Sequence, residues 1–214
     1  MKSWRIVAVT LLSLCLIACE SAYYGAWEKV GVHKRDILVD RIEDVQDAQT
    51  DAKEQFVSAL ERFKQEIDFD GGELEKSYNA LNDEFEESRD NAQALSDRID
   101  AVESVADALF DEWSDELEKY SNQRLRRQSE AQYRSTQSHY KKMLRAMRQS
   151  EAKMEPVLAT LQDQVLFLKH NLNARAIASL ESEFNGLKRD ISVLIKDMES
   201  SIQEANQFIA TLKQ

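Results

Sequence analysis

The feature that most restricts the fold of this chain is its scarcity of residues that make turns. Five glycines and one proline occur in 214 residues, whereas average usage would supply about 15 glycines and about 10 prolines. Neither residue occurs between Glu73 and Glu155. Because sheets need many turns, which draw on glycine's positive φ angles and proline's fixed φ, we expect an all-α protein with long helices and few corners.

Apolar residues recur at helical spacing along most of the chain. In the first long segment, from Lys34 to Ile67, polar Gln49 fills one position of the stripe. The segment after Pro156 has the most regular repeat, close to the 3.5-residue period of supercoiled helices. These patterns predict an elongated antiparallel helical bundle or coiled coil of three to five long helices. The first stripe consists of Leu38, Ile42, Val45, Ala52, Phe56, Ala59, Phe63 and Ile67.

The chain offers two clear breaks between helices, at Gly71-Gly72 and at Pro156. Antiparallel neighbours joined at these points would bury three stripes, with a middle helix about 125 Å long if it is unbroken. The alternative is a shorter, thicker bundle in which the middle segment folds back at Asn91 or Asn122. Ser, Asp and Asn near both positions offer the backbone competing hydrogen bonds. The sequence is compatible with both arrangements.

The first 18 residues have the layout of a secretory signal peptide. Lys2 and Arg5 precede an apolar run, Ile6 to Ile17, that is shorter than the roughly 20 residues needed to span a bilayer. The sequence Leu16-Ile17-Ala18-Cys19 resembles the lipobox of bacterial lipoproteins. That resemblance implies that Cys19 takes a diacylglycerol, that the chain is cut before it, and that the new amine takes a fatty acid such as palmitate. An ordinary secretory signal with a chance cysteine is the alternative.

These features predict the organisation and location of the mature chain. Residues 19–33 form a lipidated tether, and residues 34–214 form a single helical coiled-coil domain. We expect the protein on the periplasmic face of a membrane in the bacterial cell envelope, held there by the lipid on Cys19. Glu20 stands where lipoproteins of the inner membrane typically have aspartate, which favours the outer membrane. With Cys19 acylated, a disulfide is not expected.

Charge is unevenly distributed along the chain. From Asp40 to Glu118 there are 26 acidic and 7 basic residues, and Glu130 is the one acidic residue from Arg124 to Arg148. The basic stretch can pair with the acidic helices and set their register, or it can bind an anionic envelope component such as lipopolysaccharide or peptidoglycan. Nucleic acid is not an expected partner of so acidic an exported protein. The candidate anion-binding residues are Arg124, Arg126, Arg127, Arg134, Lys141, Lys142, Arg145 and Arg148.

A second candidate site lies between Asp163 and Arg175, where polar side chains flank a strongly apolar stretch. One interpretation is a helix corner, in which Asn171 caps one helix and Asn173 begins the next. Another is a continuous helix whose buried amides fix the register. The functional hypothesis is a docking site for an envelope protein partner or for a second copy of the chain. Its candidate residues are Gln164, Lys169, His170, Asn171 and Asn173.

The sequence contains none of the common motifs of catalysis or nucleotide binding. There is no GxxxxGK[ST] or GxGxxG loop, and the three histidines lie outside HExxH and Glu-x-x-His patterns. No serine or cysteine stands in a recognisable nucleophilic setting. We therefore expect neither catalytic activity nor a cofactor, metal or nucleotide.

Several stretches are similar to a bacterial lipoprotein family known as domain of unknown function 2959. The resemblance covers nearly all of the mature chain and implies no activity, because none is established for that family. Together with the lipobox, it predicts a lipid-anchored helical scaffold or interaction protein. The stretches that carry the resemblance are Arg98-Ile99-Asp100, Leu109 to Trp113, Tyr120-Ser121-Asn122, Pro156 to Leu158, Asp163 to Asn173 and Ala176 to Leu180.

Overall fold

The computed structural model describes residues 33–67, 74–171 and 174–213. Within these ranges the chain is helical and contains no strand, which confirms the predicted fold class. The predicted signal peptide, Cys19, all but the last residue of the tether, Gly71-Gly72 and Asn173 lie outside the described residues. The helices are α1 (Lys34–Ile67), α2 (Leu74–Lys119), α3 (Gln123–Ala152), α4 (Met154–His170) and α5 (Ala174–Leu212).

The five helices form an antiparallel bundle of four rods, because α3 and α4 follow one another along a single rod. The α1 helix packs against α2 and α5, and the α3–α4 rod packs against the same two helices. Neighbouring rods run in opposite directions: Lys34 at the start of α1 pairs with Glu112 near the end of α2. With 46 residues, α2 is about 70 Å long. The predicted elongated antiparallel bundle is thus confirmed.

The chain reverses between α2 and α3 at Tyr120-Ser121-Asn122, one of the two positions proposed for a shorter bundle. Asn122 begins α3 as its N-cap, and its Oδ1 accepts hydrogen bonds from the backbone N–H groups of Arg124 (2.9 Å) and Leu125 (3.2 Å). Such a bond satisfies donors that the first helical turn leaves open. The other proposed position, Asn91, lies inside α2, where its side chain donates back to the carbonyl of Glu87 and leaves the helix intact.

The prediction of a chain reversal near Pro156 is wrong. Pro156 cannot donate to the carbonyl of Ala152 four residues earlier, and its ring crowds that carbonyl. The helix therefore breaks at Lys153, whose backbone remains in the helical region (φ −80°, ψ −15°). A break this small leaves α3 and α4 running in the same direction, and the reversal comes after His170 instead.

One apolar core runs the length of the bundle, and the first predicted stripe faces it throughout. Every apolar member from Leu38 to Phe63 is at most 3% exposed. The largest buried side chains include Phe56 and Phe63 of α1, Met143 and Met147 of α3, and Phe208 of α5. Because the apolar residues face the core, the outer faces of the described helices are mainly polar. Among the described helices, none is long and apolar enough to cross a membrane.

Gln49 sits in this core as the centre of a buried polar layer. Its Nε2 donates to Ser150 Oγ of α3 (3.0 Å) and to Ser201 Oγ of α5 (2.9 Å). All three residues are fully buried. Gln49 Oε1 has no hydrogen-bond partner among the described residues. Because apolar neighbours could not accept the two bonds from Nε2, the layer favours the one alignment of α1, α3 and α5 in which the three side chains meet.

Tyr140 joins α3 to α2 and α5 through aromatic contacts. Its ring centroid lies 5.4 Å from that of Phe110 and 6.0 Å from that of Phe208. Burial raises the pKa of the Tyr140 phenol well above its usual value, and the carboxylates of Asp107 and Glu103 raise it further. Folding therefore keeps this phenol protonated in alkaline solution.

We expect Tyr140 to make the fold less stable above about pH 10, where an unfolded tyrosine ionises. Between that pH and the raised folded pKa, the folded chain binds one more proton than the unfolded chain, so the free energy of unfolding falls as pH rises. Tyr140→Phe removes this loss. Urea unfolding measures the free energy of unfolding of both proteins. The difference between the two free energies should be constant at neutral pH and should shift in favour of the variant above about pH 10. If the free energy of unfolding depended on pH in the same way for both proteins, the loss of stability could not be attributed to Tyr140.

Candidate interaction sites

The bundle has two chemically distinct ends. At the proximal end, His33 leads into α1, the chain turns at Tyr120-Ser121-Asn122, and α5 finishes at Leu212, whose carbonyl accepts from Arg35 (3.4 Å). At the distal end, α1 finishes, α2 begins, and α4 meets α5. The length of α2 separates these ends by about 70 Å. His33, the last residue of the predicted tether, lies at the proximal end.

The predicted docking residues lie at the distal end, but they do not form one surface. Gln164 faces the core at 8% exposure, and its Oε1 has no hydrogen-bond partner among the described residues. Lys169 and His170 are exposed. Asn171 ends α4 and its Nδ2 donates to the carbonyl of Phe167 (3.0 Å), as the corner interpretation predicted. Asn173 lies outside the described residues.

Two apolar side chains missed by the sequence analysis lie beside the exposed Lys169 and His170. Leu166 is 48% exposed and Phe167 is 38% exposed. Spacings of three and four residues place Leu166 beside both Lys169 and His170, and a spacing of three places Phe167 beside His170. We call these four residues the distal patch. The signal was present in the sequence, because Leu166 and Phe167 fall outside the buried stripe of α4 that runs through Leu161 and Val165 to Leu168.

The basic stretch of α3 divides into two parts with different roles. In the part nearer the middle of the bundle, Arg148 pairs with Asp100 and Glu103 of α2 and with Glu151, and Lys142 pairs with Glu204 of α5 (2.8 Å). Arg134 pairs with Glu130 of its own helix (2.6 Å). The pairs of Arg148 and Lys142 join neighbouring helices, as the register interpretation of the stretch requires.

The environment of Arg148 keeps it charged. Although partial burial acts to lower the pKa of its guanidinium, hydrogen bonds to Glu151, Asp100 and Glu103 outweigh that effect and raise it. Because Arg148 is held between carboxylates of α2 and α3, it joins the two helices and is not available to bind a mobile anion.

The remaining basic residues of the stretch are exposed and form no ion pair within the described ranges. Arg124, Arg126 and Arg127 belong to the first turn and a half of α3, next to the proximal turn. Farther along, Arg145 is exposed, and Lys141 donates to Gln137 (3.4 Å). The concentration of unpaired positive charge is therefore at the proximal end.

A cleft of about 520 Å³ opens beside the point where α1 begins. Its lining includes His33, Lys34, Trp113, Tyr120 and Ser129. The indole of Trp113 donates to Ser129 Oγ (2.9 Å), which ties the end of α2 to the start of α3. Among the described residues, no group of three or more His, Cys, Asp or Glu side chains is arranged to hold a metal ion.

Comparison with known protein families places the chain. Residues 23–212 match the model of a family described as a protein of unknown function, DUF2959. The chain belongs to this family. The DUF2959 match includes both the distal patch and the proximal basic residues, and it confirms the predicted membership of domain of unknown function 2959. No curated protein and no solved structure matches the chain significantly.

Proposed function

We propose that this DUF2959 protein is a lipid-anchored periplasmic scaffold of the bacterial cell envelope. Acylated Cys19 holds it to a membrane, with the outer membrane favoured, and the bundle presents a docking surface for an envelope protein at its distal end. The proposal includes no catalytic activity and no cofactor. The lipobox motif supports the anchor, and the helical architecture supports the role of a spacer.

The observation that carries the docking role is the exposed apolar pair of the distal patch. The bundle has ample core positions for apolar residues, yet Leu166 and Phe167 face solvent next to Lys169 and His170. Lone exposed apolar residues are ordinary on any surface, whereas adjacent ones mark sites of interaction more often. An apolar centre flanked by charged groups is the usual composition of a protein interface.

A photo-crosslinking amino acid at position 166 tests this role in intact cells. We expect it to capture a discrete protein partner, because Leu166 lies in the middle of the distal patch. The matched control is the same amino acid at Val193 of α5, which is 46% exposed against 48% for Leu166. Equal capture at both positions, or no protein captured at 166, would contradict a docking site at the distal patch. Capture of a second copy of the chain would identify self-association.

A second candidate function is the binding of an anionic envelope component. The observation in its favour is the unpaired cluster Arg124, Arg126 and Arg127. Purified protein would then bind lipopolysaccharide or peptidoglycan at low salt, and charge reversal at Arg126 and Arg127 would weaken that binding. Retention of full binding by the reversed variant, or no binding at low salt, would exclude this function.

A further inference from the structure

We propose that the turn between α2 and α3 docks on the anionic leaflet of the membrane that carries the anchor. The surface in question is Lys119–Arg127, which we call the hairpin tip. This inference rests on the proposed lipid anchor for its geometry and assigns a binding partner to basic residues that the bundle itself does not use.

The first support is the position of the hairpin tip relative to the tether. Lys34, at the start of α1, lies level with Glu112 of α2, since their side chains pair at 2.8 Å. The α2 helix continues from there for seven residues to Lys119, which carries the hairpin tip about 10 Å past the point where the tether enters. The start of α1 and the end of α5 both stop short of it. The hairpin tip is therefore the most protruding described part of the proximal end.

The second support is the chemistry of the hairpin tip. It has four basic side chains, Lys119, Arg124, Arg126 and Arg127, and no acidic residue. All four are exposed and make no ion pair within the described part of the chain. Each basic group close to an anionic leaflet adds attraction to it. A cluster with no competing carboxylate on the same segment is suited to lipid phosphates.

Apolar side chains lie among these charges. Tyr120 is 38% exposed and Leu125 is 41% exposed. Tyrosine is enriched at the level of the lipid headgroups, and exposed leucine gains from reaching the boundary of the acyl chains. Cations mixed with such groups distinguish a membrane-facing surface from a purely solvated one.

The hairpin tip also has a fixed shape. Asn122 caps α3 through Arg124 and Leu125, and Trp113 bonds across to Ser129 behind the turn. Binding to a membrane would therefore cost little ordering of the backbone.

The acidic residues of the bundle favour an upright orientation on such a surface. Asp115, Glu116 and Glu118 precede the hairpin tip on α2, and the segment from Asp40 to Glu118 has 26 acidic and 7 basic residues. An anionic leaflet repels this body and attracts the hairpin tip. The fifteen residues from Cys19 to His33 could span at most about 50 Å, which is ample for the contact.

The test uses the mature protein purified from cell envelopes and reconstituted into vesicles. Ser121→Cys places a fluorescent label in the hairpin tip without removing a basic or apolar side chain, and Gln162→Cys places it about 60 Å away on α4. Lipids with a spin label at the headgroup serve as the quencher. On vesicles of phosphatidylcholine with phosphatidylglycerol, we expect strong quenching at position 121 and little at 162. On phosphatidylcholine alone, and at high salt, quenching at 121 should fall.

A charge variant gives the second measurement. Arg124→Gln, Arg126→Gln and Arg127→Gln together should abolish the difference between positions 121 and 162, while an unchanged circular dichroism melt shows that the bundle is intact. The proposal would be overturned by equal quenching at both positions or by an absence of quenching at 121 in vesicle-bound protein. It would also be overturned if quenching at 121 were the same with and without phosphatidylglycerol.

The failure of the anchor is detected separately from the failure of the hairpin tip. If the intact mass shows Cys19 without lipid, flotation of that protein with anionic vesicles measures the hairpin tip alone. Binding that falls about tenfold to a hundredfold in the triple variant would then support the hairpin tip while the anchor fails. If that protein did not float with the vesicles, the proposed binding of the hairpin tip to the leaflet would be wrong as well. If the protein bound lipopolysaccharide or peptidoglycan but not phospholipid, the partner of the hairpin tip would be that envelope component, and the leaflet proposal would be wrong.

Discussion

Replacing Phe56 by alanine is expected to lower the free energy of unfolding by about 3–5 kcal/mol, which is among the largest effects of a single core truncation in this bundle. Phe56 is fully buried in α1 and ranks among the largest of the fully buried side chains. The variant loses the transfer free energy of the ring and leaves a cavity, because tightly packed neighbours close it only in part. Urea unfolding followed by circular dichroism measures the change.

The adjacent residue supplies the control for that experiment. Val57 is 37% exposed, and Val57→Ala should change the free energy of unfolding by no more than about 0.5 kcal/mol. The two variants share a helix and differ mainly in the face that they alter. Similar losses at both positions would contradict the assignment of the α1 stripe to the core.

Replacing Cys19 by alanine is expected to abolish acylation of the protein entirely. If the motif Leu16 to Cys19 is a lipobox, both the diacylglycerol transfer and the cut before Cys19 depend on the thiol. Cells fed a tagged palmitate should label the wild type and leave Cys19→Ala unlabelled, with residues 1–18 still attached. Gel analysis of the precipitated protein would show both changes.

The second cysteine of the sequence controls for nonspecific labelling. Cys15 lies within the predicted signal peptide, residues 1–18, so Cys15→Ala should be labelled and cut like the wild type. Labelling that persists in Cys19→Ala but disappears in Cys15→Ala would place the lipid on Cys15 and contradict the proposed anchor at Cys19.

The helices could be predicted from the sequence because their stripes are local. The alternating spacing from Leu38 to Phe63 requires a helix and a partner surface, and Gln49 is recognisable as the one polar member of that stripe. Its two serine partners were not predictable, since Ser150 and Ser201 meet it only once three helices are aligned.

The corners were harder to locate because the residues that break a helix do not always reverse it. Pro156 interrupts the backbone hydrogen bonds for a single residue, and the packing of α3 and α4 against the same neighbours keeps them in line. Asn122 reverses the chain because its side chain can cap the next helix. The sequence contains the same residue types at Asn91, where bonding back to Glu87 preserves the helix.

The two candidate sites differ in how far they depend on tertiary structure. Arg148 and Arg126 look alike in the sequence, yet Arg148 pairs with Asp100 and Glu103, while Arg126 is exposed and makes no ion pair within the described residues. Near the distal end, the exposure of Leu166 and Phe167 was readable from their place outside the stripe of α4. The burial of Gln164 was readable from its place between Leu161 and Leu168 in that stripe.

The most direct test of a lipid-anchored scaffold is the mass of the N-terminal peptide of the protein purified from cell envelopes. We expect a chain that begins at Cys19 and has a diacylglycerol on the thiol and a fatty acid on the amine. A chain that begins elsewhere, or an unmodified Cys19, would contradict the anchor and with it the placement of the distal patch away from the membrane.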